Sequence, residues 1–178
     1  MPYFTEQSTE FYHTIIYSNS PWIKDSNRLR IPEPFKREVF FRVKKQMEAS
    51  HEMAVLIKGP RRVGKTEIQK QLIWYLIKEK HVDPKKVLYL SFDDVQIQAE
   101  KPGDRERFVQ DILNAWAQIL GWDSYDEIDC TAYCFFDEVQ AVNGWANLLK
   151  NRIERNPKIR VVLSGSAAHS IFDKALKI

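Results

Sequence analysis

The sequence predicts an α/β fold built on a parallel β-sheet, for three reasons. Four short apolar segments, as expected of strands covered on both faces, alternate with segments whose apolar residues recur at helical spacing. Such alternation indicates helical crossovers between parallel strands. Each apolar segment also ends in small or polar residues, and ligands bind at the carboxyl ends of strands in an open parallel sheet. The 178 residues fit about one domain with a sizeable core.

The N-terminal part is the least regular. Residues 1–30 are interpreted as a poorly defined extension, and residues 31–178 as the core domain. Within the extension, one face of a short helix is suggested by Phe11, Tyr12, Ile15 and Ile16. IPEP at 31–34 predicts a stiff joint, because each proline disfavours helix at the residue before it. A helix is then predicted over 33–50, with an apolar residue at every fourth position: Phe35, Val39, Val43 and Met47.

The remaining elements alternate regularly. Strands are predicted over 53–57 (MAVLI), 87–92 (VLYLSF), 132–136 (AYCFF) and 159–165 (IRVVLSG). Helices are predicted over 65–80, 105–120 and 143–155, and a last one near Ser166. Gly121 is expected to end the second of these helices. The polar strand ends that should meet at one edge are Gly59; Ser91, Asp93 and Asp94; Asp137 and Glu138; and Ser164, Gly165 and Ser166.

The segment GPRRVGKT, residues 59–66, fits the pattern G-x-x-x-x-G-K-[ST] of the phosphate-binding P-loop. Its glycines let backbone amides approach phosphate oxygens without an intervening Cβ. Lys65 is expected to reach the β- and γ-phosphates, and the Thr66 hydroxyl to reach Mg²⁺. The following helix directs its N-terminal dipole at the same anion. An accidental match is disfavoured, because the motif lies between a buried strand and an amphipathic helix.

Two arginines, Arg61 and Arg62, occupy the tip of this loop. Either guanidinium would be able to touch the γ-phosphate. The alternative is a solvated tip, or an ion pair with a carboxylate such as Asp93 or Asp94, and exposed pairs of this kind are common. The alternative is favoured.

The segment YCFFDEVQ separates nucleotide binding from hydrolysis. Asp137 closes an apolar strand, where a carboxylate can hold Mg²⁺ through water, and Glu138 is placed to deprotonate the attacking water. The alternative is that this pair caps the next helix. The D-x-x-G and N-K-x-D elements of GTPases are absent from the sequence. The acidic pair therefore favours ATP hydrolysis.

The segment VVLSGSAAHS ends the fourth strand. Ser164 or Ser166 is expected to hydrogen-bond the γ-phosphate or the attacking water and so to report whether that phosphate is present. The alternative is a tight turn that uses Ser and Gly for local hydrogen bonds.

Composition gives no support to several other classes. A net charge of +3 is too small to indicate nucleic-acid binding. The longest apolar run, Leu72–Ile77, is far shorter than the ~20 residues of a membrane helix. No secretory signal is recognised, and a cytoplasmic protein is expected. Cys130 and Cys134 have no nearby histidines, so both are interpreted as packing residues of a strand and not as metal ligands.

The combination of GPRRVGKT, LYLSFDD, FFDEVQ with a following Trp, and IRVVLSGSA resembles the AAA-type P-loop ATPases of prokaryotes over residues 30 to 172. The resemblance implies a P-loop three-layer sandwich of the additional-strand type, with the fourth strand between the P-loop strand and the Asp-Glu strand. It implies Asp137 and Thr66 at the metal, and Glu138 and Lys65 in catalysis. The nucleotide-contacting set is Gly59, Pro60, Arg61, Arg62, Val63, Gly64, Lys65, Thr66, Glu67, Ser164 and Ser166.

Proteins of this kind continue with a fifth strand beside the P-loop strand, an arginine finger and a separate C-terminal domain. The sequence is therefore expected to be an N-terminal fragment, with good loop geometry and weak turnover by itself. Arg152 and Arg155 are candidate substitutes for the finger, although solvated cations at a helix end are the favoured interpretation.

The expected function is Mg²⁺-dependent ATP hydrolysis that drives a conformational change in an attached domain or partner protein. The alternatives are a nucleotide-binding switch with little hydrolysis and a DNA-associated ATPase. The expected ligands are ATP, ADP and Mg²⁺. The adenine pocket is expected to draw on residues 28–35.

Overall fold

A computed structural model of the chain describes residues 6–49 and 54–166. Four parallel strands form one sheet: β1 (Ala54–Lys58), β2 (Val87–Ser91), β3 (Ala132–Asp137) and β4 (Ile159–Gly165). Their order is β1-β4-β3-β2, so β1 and β2 are the edges of the sheet. This confirms the α/β class and the parallel sheet. It also confirms that the fourth strand lies between the P-loop strand and the Asp-Glu strand.

Six α-helices accompany the sheet in the described residues. They are α1 (Glu6–Asn19), α2 (Glu38–Glu48), α3 (Lys65–Trp74), α4 (Val95–Ala99), α5 (Arg105–Ile119) and α6 (Trp145–Arg155). A π-helical turn, Tyr75–Glu79, continues α3, so this segment is helical almost to the predicted end at residue 80. Gly121 has φ +88° and ends α5 as predicted. The helix predicted beyond Ser166 and the first residue of the predicted strand 53–57 lie outside the described residues.

One continuous hydrophobic core joins the strands and helices. Ile68, Leu72, Ile73, Leu76 and Ile77 are all buried, which confirms the stripe predicted for the helix after the P-loop. Cys134 is fully buried in β3, where burial raises the pKa of its thiol. Cys130, predicted as a second strand residue, lies before β3 and is only half-buried. It nevertheless packs against the core.

The predicted helix 33–50 begins later than expected, because α2 starts at Glu38. Pro34 disfavours helix at Glu33, and Gln71 of α3 donates its side-chain amide to the carbonyls of Glu33 and Phe35, at 2.7 and 2.9 Å. Those carbonyls therefore accept from α3 and not from a first turn of α2. As a result Phe35 and Val39 are exposed, and Phe40 takes a buried position beside Val43 and Met47.

The N-terminal segment covers the outer edge of β2. The hydroxyl of Ser20 accepts from the Tyr89 amide and donates to the Tyr89 carbonyl, both at 2.8 Å. Asn19 Oδ1 accepts from the Ser91 amide at 3.2 Å, and Trp22 Nε1 donates to the Val87 carbonyl at 2.8 Å. We call Asn19, Ser20 and Trp22 the edge cover. Although the division of the chain at residue 30 stays a prediction, this segment is packed into the core.

The predicted helix face of that segment is confirmed in α1 for Tyr12, Ile15 and Ile16, whereas Phe11 is exposed and contacts the rim of the core through Phe108. Ile15 and Ile16 are fully buried, and Tyr12 packs against Phe108 of α5. No helix among residues 6–49 and 54–166 is long and apolar enough to cross a membrane.

Candidate nucleotide-binding site

The loop between β1 and α3 has the backbone conformation that its glycines predict. Gly64 precedes α3 with φ +91°, a left-handed conformation that L side chains rarely adopt. Arg62 is also left-handed, with φ +64°. The Arg37 guanidinium donates to the Val63 carbonyl at 2.6 Å, so the residue just before α2 holds the loop from outside. The loop is shaped by these contacts within the protein.

Lys65 begins α3 and is almost completely buried, with 4% of its surface exposed. Its ammonium group donates to the carbonyls of Gly59 and Pro60 at 3.1 and 2.9 Å. The nearest carboxylate oxygen, Glu138 Oε1, is 3.8 Å away. A buried cation with such a distant counter-ion favours the binding of an anion beside it.

Asp137 lies at the carboxyl end of β3 and accepts four hydrogen bonds. Thr66 Oγ1 and the Tyr89 hydroxyl donate to its Oδ2 at 2.5 and 3.0 Å. Ser164 and the amide of Glu138 donate to its Oδ1. Burial raises the pKa of Tyr89, and the negative charge of Asp137 raises it further, so Tyr89 remains a protonated donor. Three donors from α3, β2 and β4, together with the amide of the adjacent residue, therefore fix the orientation of this carboxylate.

Glu138 follows in the left-handed conformation, with φ +49°. Gln140 Nε2 donates to its Oε2, and Lys65 faces its Oε1. A quarter of the Glu138 side chain is exposed, so the carboxylate is accessible to water. The structure thus brings together Lys65, Thr66, Asp137 and Glu138, which the sequence assigned to one site.

The serine near the end of β4 and the serine that follows the strand are placed differently. Ser164 is fully buried, and its hydroxyl donates to Asp137. Ser166 donates its backbone amide to Gln140 Oε1 at 3.2 Å. Gln140 therefore connects the end of β4 with Glu138.

The arginines named from the sequence have separate positions. Arg61 and Arg62 are exposed, and neither has a carboxylate partner among the described residues. Asp94 instead caps α4 and accepts from Asn19, at 2.8 and 2.9 Å.

The interpretation of Arg152 and Arg155 as solvated cations is wrong for Arg152. Arg152 is buried and pairs with Asp126 at 2.8 Å, and Arg155 pairs with the same carboxylate at 3.2 Å. Asp126 precedes β3, at the amino ends of the strands. Both arginines are therefore on the side of the sheet away from the P-loop.

The donor set fits Mg²⁺ held together with phosphates. Thr66 donates its proton to Asp137, which leaves hydroxyl lone pairs for a cation. Within the described part of the chain, no group of three or more His, Cys, Asp or Glu side chains is arranged to hold a metal by itself. Mg²⁺ commonly uses one or two protein ligands and completes its coordination with substrate phosphates and water. The residues present match that chemistry.

Two cavities flank the first turns of α3. One of about 180 Å³ lies beside the loop and is lined by Glu33, Phe35, Arg37, Gly64, Glu67 and Gln71. The other, of about 420 Å³, lies on the β2 side, between the N-terminal segment, α3 and Tyr89. The Glu67 carboxylate accepts from the Glu33 amide at 2.8 Å and belongs to the walls of both cavities.

Sequence reasoning missed Arg37, Tyr89 and Gln140 as site residues. Tyr89 alternates with buried residues in a strand, and this pattern does not indicate that its hydroxyl bonds to Asp137, 48 positions away. Gln140 had a weak signal, because it lies two residues after Glu138 in a short 3₁₀ turn. Arg37 precedes its helix and contacts the loop only through the tertiary fold.

Comparisons with known proteins agree with this geometry. A family model described as an AAA domain matches residues 51–177. The comparison with curated proteins gave no match. A solved structure of C. elegans PCH-2 superimposes with a TM-score of 0.52 and 19% identity, over 78% of this chain and 40% of that one. At that identity the likeness shows the fold, and the chain spans less than half the length of PCH-2.

Proposed function

The chain belongs to the AAA domain family, which implies nucleotide binding, and from this premise we propose that it binds ATP and hydrolyses it with Mg²⁺. Hydrolysis would drive a conformational change in an attached domain or a partner protein. The single observation that carries the proposal is the junction of Lys65, Thr66, Asp137 and Glu138 at the carboxyl ends of β1 and β3. Each side chain has a distinct role there.

The loop binds the phosphates. The backbone amides of residues 59–66 and the N-terminal end of α3 present partial positive charge to an anion. Lys65 exchanges its two loop carbonyls for phosphate oxygens, which are better partners for a buried ammonium because they carry negative charge. The proposed contacts of Arg61 and Arg62 come from the exposed tip.

Thr66 and Asp137 would hold the magnesium ion, Thr66 directly and Asp137 through water. The ion would neutralise charge that develops on the phosphates. Because Asp137 accepts from Thr66, Tyr89 and Ser164, its carboxylate is already oriented before any ligand arrives. The base and ribose are proposed to occupy the cavity of about 180 Å³ beside Gly64, where residues 33–35 supply one wall.

Glu138 is proposed as the general base that orients the attacking water and accepts its proton. Its Oε2 is engaged by Gln140, and Gln140 also accepts from the Ser166 amide. A shift at the end of β4 would therefore alter the orientation of the base. The contacts from Ser166 through Gln140 to Glu138 would let the Ser164–Ser166 segment act as the sensor.

A nucleotide-binding switch with little hydrolysis is the second candidate. One observation favours it: both oxygens of Glu138 face side chains of the protein, Gln140 and Lys65. A carboxylate held in this way must be released before it takes a proton from water. A DNA-associated ATPase has no comparable support from the described residues.

The test measures both binding and turnover. Nucleotide affinity is followed with a fluorescent ATP analogue, and phosphate release from Mg-ATP is followed with the protein in excess, so that slow single turnovers are visible. Glu138→Gln should keep ATP affinity and reduce phosphate release by about a hundredfold or more. Glu154→Gln, an exposed glutamate of α6, is the matched control and should behave as the wild type.

Binding without phosphate release in either protein would support the switch. Equal phosphate release in wild type and Glu138→Gln would disprove the assignment of Glu138 as the base. Loss of ATP binding in the wild type would disprove the proposed function altogether.

A further inference from the structure

Residues 28–35, expected at the adenine, divide between the two cavities. Glu33 and Phe35 line the small cavity proposed for the base, and residues 28–33 line the cavity on the β2 side of α3, which the proposed nucleotide site does not use. The volume of this second cavity, about 420 Å³, lies within the range of small-molecule sites. The apolar lining consists of Pro21, Trp22, Leu29, Ile31, Pro32 and Ile73. Trp22 is anchored by its bond to the Val87 carbonyl, so this part of the wall is fixed. Polar and charged side chains make up almost half of the wall, so the cavity combines an apolar part with a polar one.

Three cationic side chains also line the cavity: Arg28, Arg30 and Lys70. All three are exposed, and none has a carboxylate partner among residues 6–49 and 54–166. Two acidic residues, Glu33 and Glu67, also line the cavity, and a Glu67 oxygen is occupied by the Glu33 amide. The lining therefore carries one net positive charge, from side chains that are free to turn toward a ligand.

One wall of the cavity is a residue of the catalytic network. Tyr89 lines the cavity, and its hydroxyl donates to Asp137 Oδ2, the oxygen that also accepts from Thr66. Asn19 of the edge cover lines the same cavity and holds the backbone of Ser91, two residues along the strand. A ligand that moves the Tyr89 ring would change the donors on the proposed metal carboxylate.

We propose that this cavity is a regulatory site for a small organic anion with a flat apolar body, and that Tyr89 transmits its occupancy to Asp137. The apolar lining takes the body of the ligand, and Arg28, Arg30 and Lys70 take its charged group. The coupling half of this inference rests on the proposed function, because it needs a nucleotide at the P-loop. The binding half does not. Tyr89 is here a positioning residue, since it acts through Asp137.

The probe is 8-anilinonaphthalene-1-sulfonate, a flat apolar anion whose fluorescence rises in apolar surroundings. Binding to the wild type should be one to one. Arg30→Glu and Lys70→Glu, made singly and together, should weaken it, and the double variant by about tenfold or more because two attractive charges become repulsive. Lys101→Glu changes the net charge as much as each single variant does, at an exposed loop lysine outside the lining, and should leave probe affinity unchanged. Thermal unfolding of every variant checks that the fold is kept.

Two further measurements separate this site from the nucleotide site. Probe binding should persist in saturating Mg-ADP and in Lys65→Ala. The probe should also change the affinity of the wild type for Mg-ADP by about fivefold, and this change should vanish in Tyr89→Phe, which keeps the ring in the wall but removes the donor to Asp137.

The inference would be overturned if Arg30→Glu, Lys70→Glu and the double variant bound the probe with the affinity of the wild type. Displacement of the probe by Mg-ADP would overturn it as well, because the cavity would then be part of the nucleotide site. Equal coupling in wild type and Tyr89→Phe would overturn the role of Tyr89. A wild type that fails to bind nucleotide would contradict the proposed function, while the probe titration alone would still decide whether the cavity binds its ligand.

Discussion

The two edge strands of the sheet differ in how their outward backbone groups are satisfied. At the β2 edge, the Val87 carbonyl, the Tyr89 amide and carbonyl and the Ser91 amide bond to side chains of the edge cover. At the β1 edge, no strand pairs with the outer side of β1 among residues 6–49 and 54–166. Edge strands with free backbone groups tend to associate with other chains. The edge cover removes that tendency at β2 with three side chains instead of a fifth strand.

The difference separates stability from ligand binding. The covered strand holds Tyr89, and through it the Asp137 carboxylate, in a fixed position. The strand at the other edge, β1, leads directly into the P-loop, where the described contacts of the Lys65 ammonium are two loop carbonyls and a distant carboxylate. A change at the β2 edge should therefore lower the stability of the fold, and a change at the end of β1 should mainly lower affinity for the nucleotide.

The largest expected effect is on the β1 side. Lys65→Ala should lower ATP affinity by about a hundredfold or more, because a buried cation that pairs with phosphate charge is removed. The melting temperature should change little, since the contacts of the Lys65 ammonium with described residues are two loop carbonyls and the Glu138 carboxylate 3.8 Å away. Titration with a fluorescent ATP analogue measures the affinity.

Lys78→Ala, an exposed lysine in the turn that continues α3, is the control and should bind ATP as the wild type does. Should Lys65→Ala unfold the protein instead, the separation between the two edges would be wrong.

The second effect is at the β2 edge. Ser20→Ala removes one hydroxyl that serves both the amide and the carbonyl of Tyr89. It should lower the free energy of unfolding by about 1–3 kcal/mol, because two backbone groups at a covered edge lose their partner. Urea denaturation measures this change. The affinity for ATP, measured without urea on the folded protein, should stay within about twofold of the wild type, which corresponds to a difference in binding free energy well under 1 kcal/mol.

Ser18→Ala is the matched control, since the Ser18 hydroxyl donates to the Ile15 carbonyl at 2.8 Å, accepts a long bond from the Asn19 side-chain amide at 3.4 Å and makes no hydrogen bond to β2 within the described residues. Its unfolding free energy should stay close to that of the wild type. A Ser20→Ala protein as stable as the Ser18→Ala protein would show that water satisfies the edge groups equally well.

The sequence was informative where local pattern and function coincide. The bounds of β4, the polar strand ends and the P-loop conformation follow from apolar runs, glycine positions and the chemistry of Lys65 and Thr66. The order of the strands came from the resemblance, and the structure confirms it.

What the sequence did not predict is tertiary. The start of α2 depends on Gln71, whose side-chain amide donates to two carbonyls of the segment before α2. The edge cover depends on Asn19, Ser20 and Trp22 meeting a strand about 70 positions later. Polar residues without period in the first 30 positions carried no sign of this contact, because serine and asparagine fit a loop equally well.

The smallest effect concerns how the N-terminal segment is anchored to α5. Tyr12 of α1 donates to Asp111 at 3.3 Å, and burial together with the charge of Asp111 raises the pKa of Tyr12 to about 12. A pKa that is higher in the folded than in the unfolded protein means that the unfolded chain loses its proton first as pH rises. The contribution of Tyr12 to stability is therefore complete below pH about 10 and declines toward pH about 12.

Tyr12→Phe isolates this contribution. Burial also raises the pKa values of Tyr89, Tyr125 and Tyr133, so the wild type should lose stability in the same alkaline range for several reasons at once. The difference in melting temperature between wild type and Tyr12→Phe should therefore shrink as pH rises from 9 to 12. Parallel curves would mean that Tyr12 ionises equally in both states, and that its hydrogen bond to Asp111 adds no pH-dependent stability.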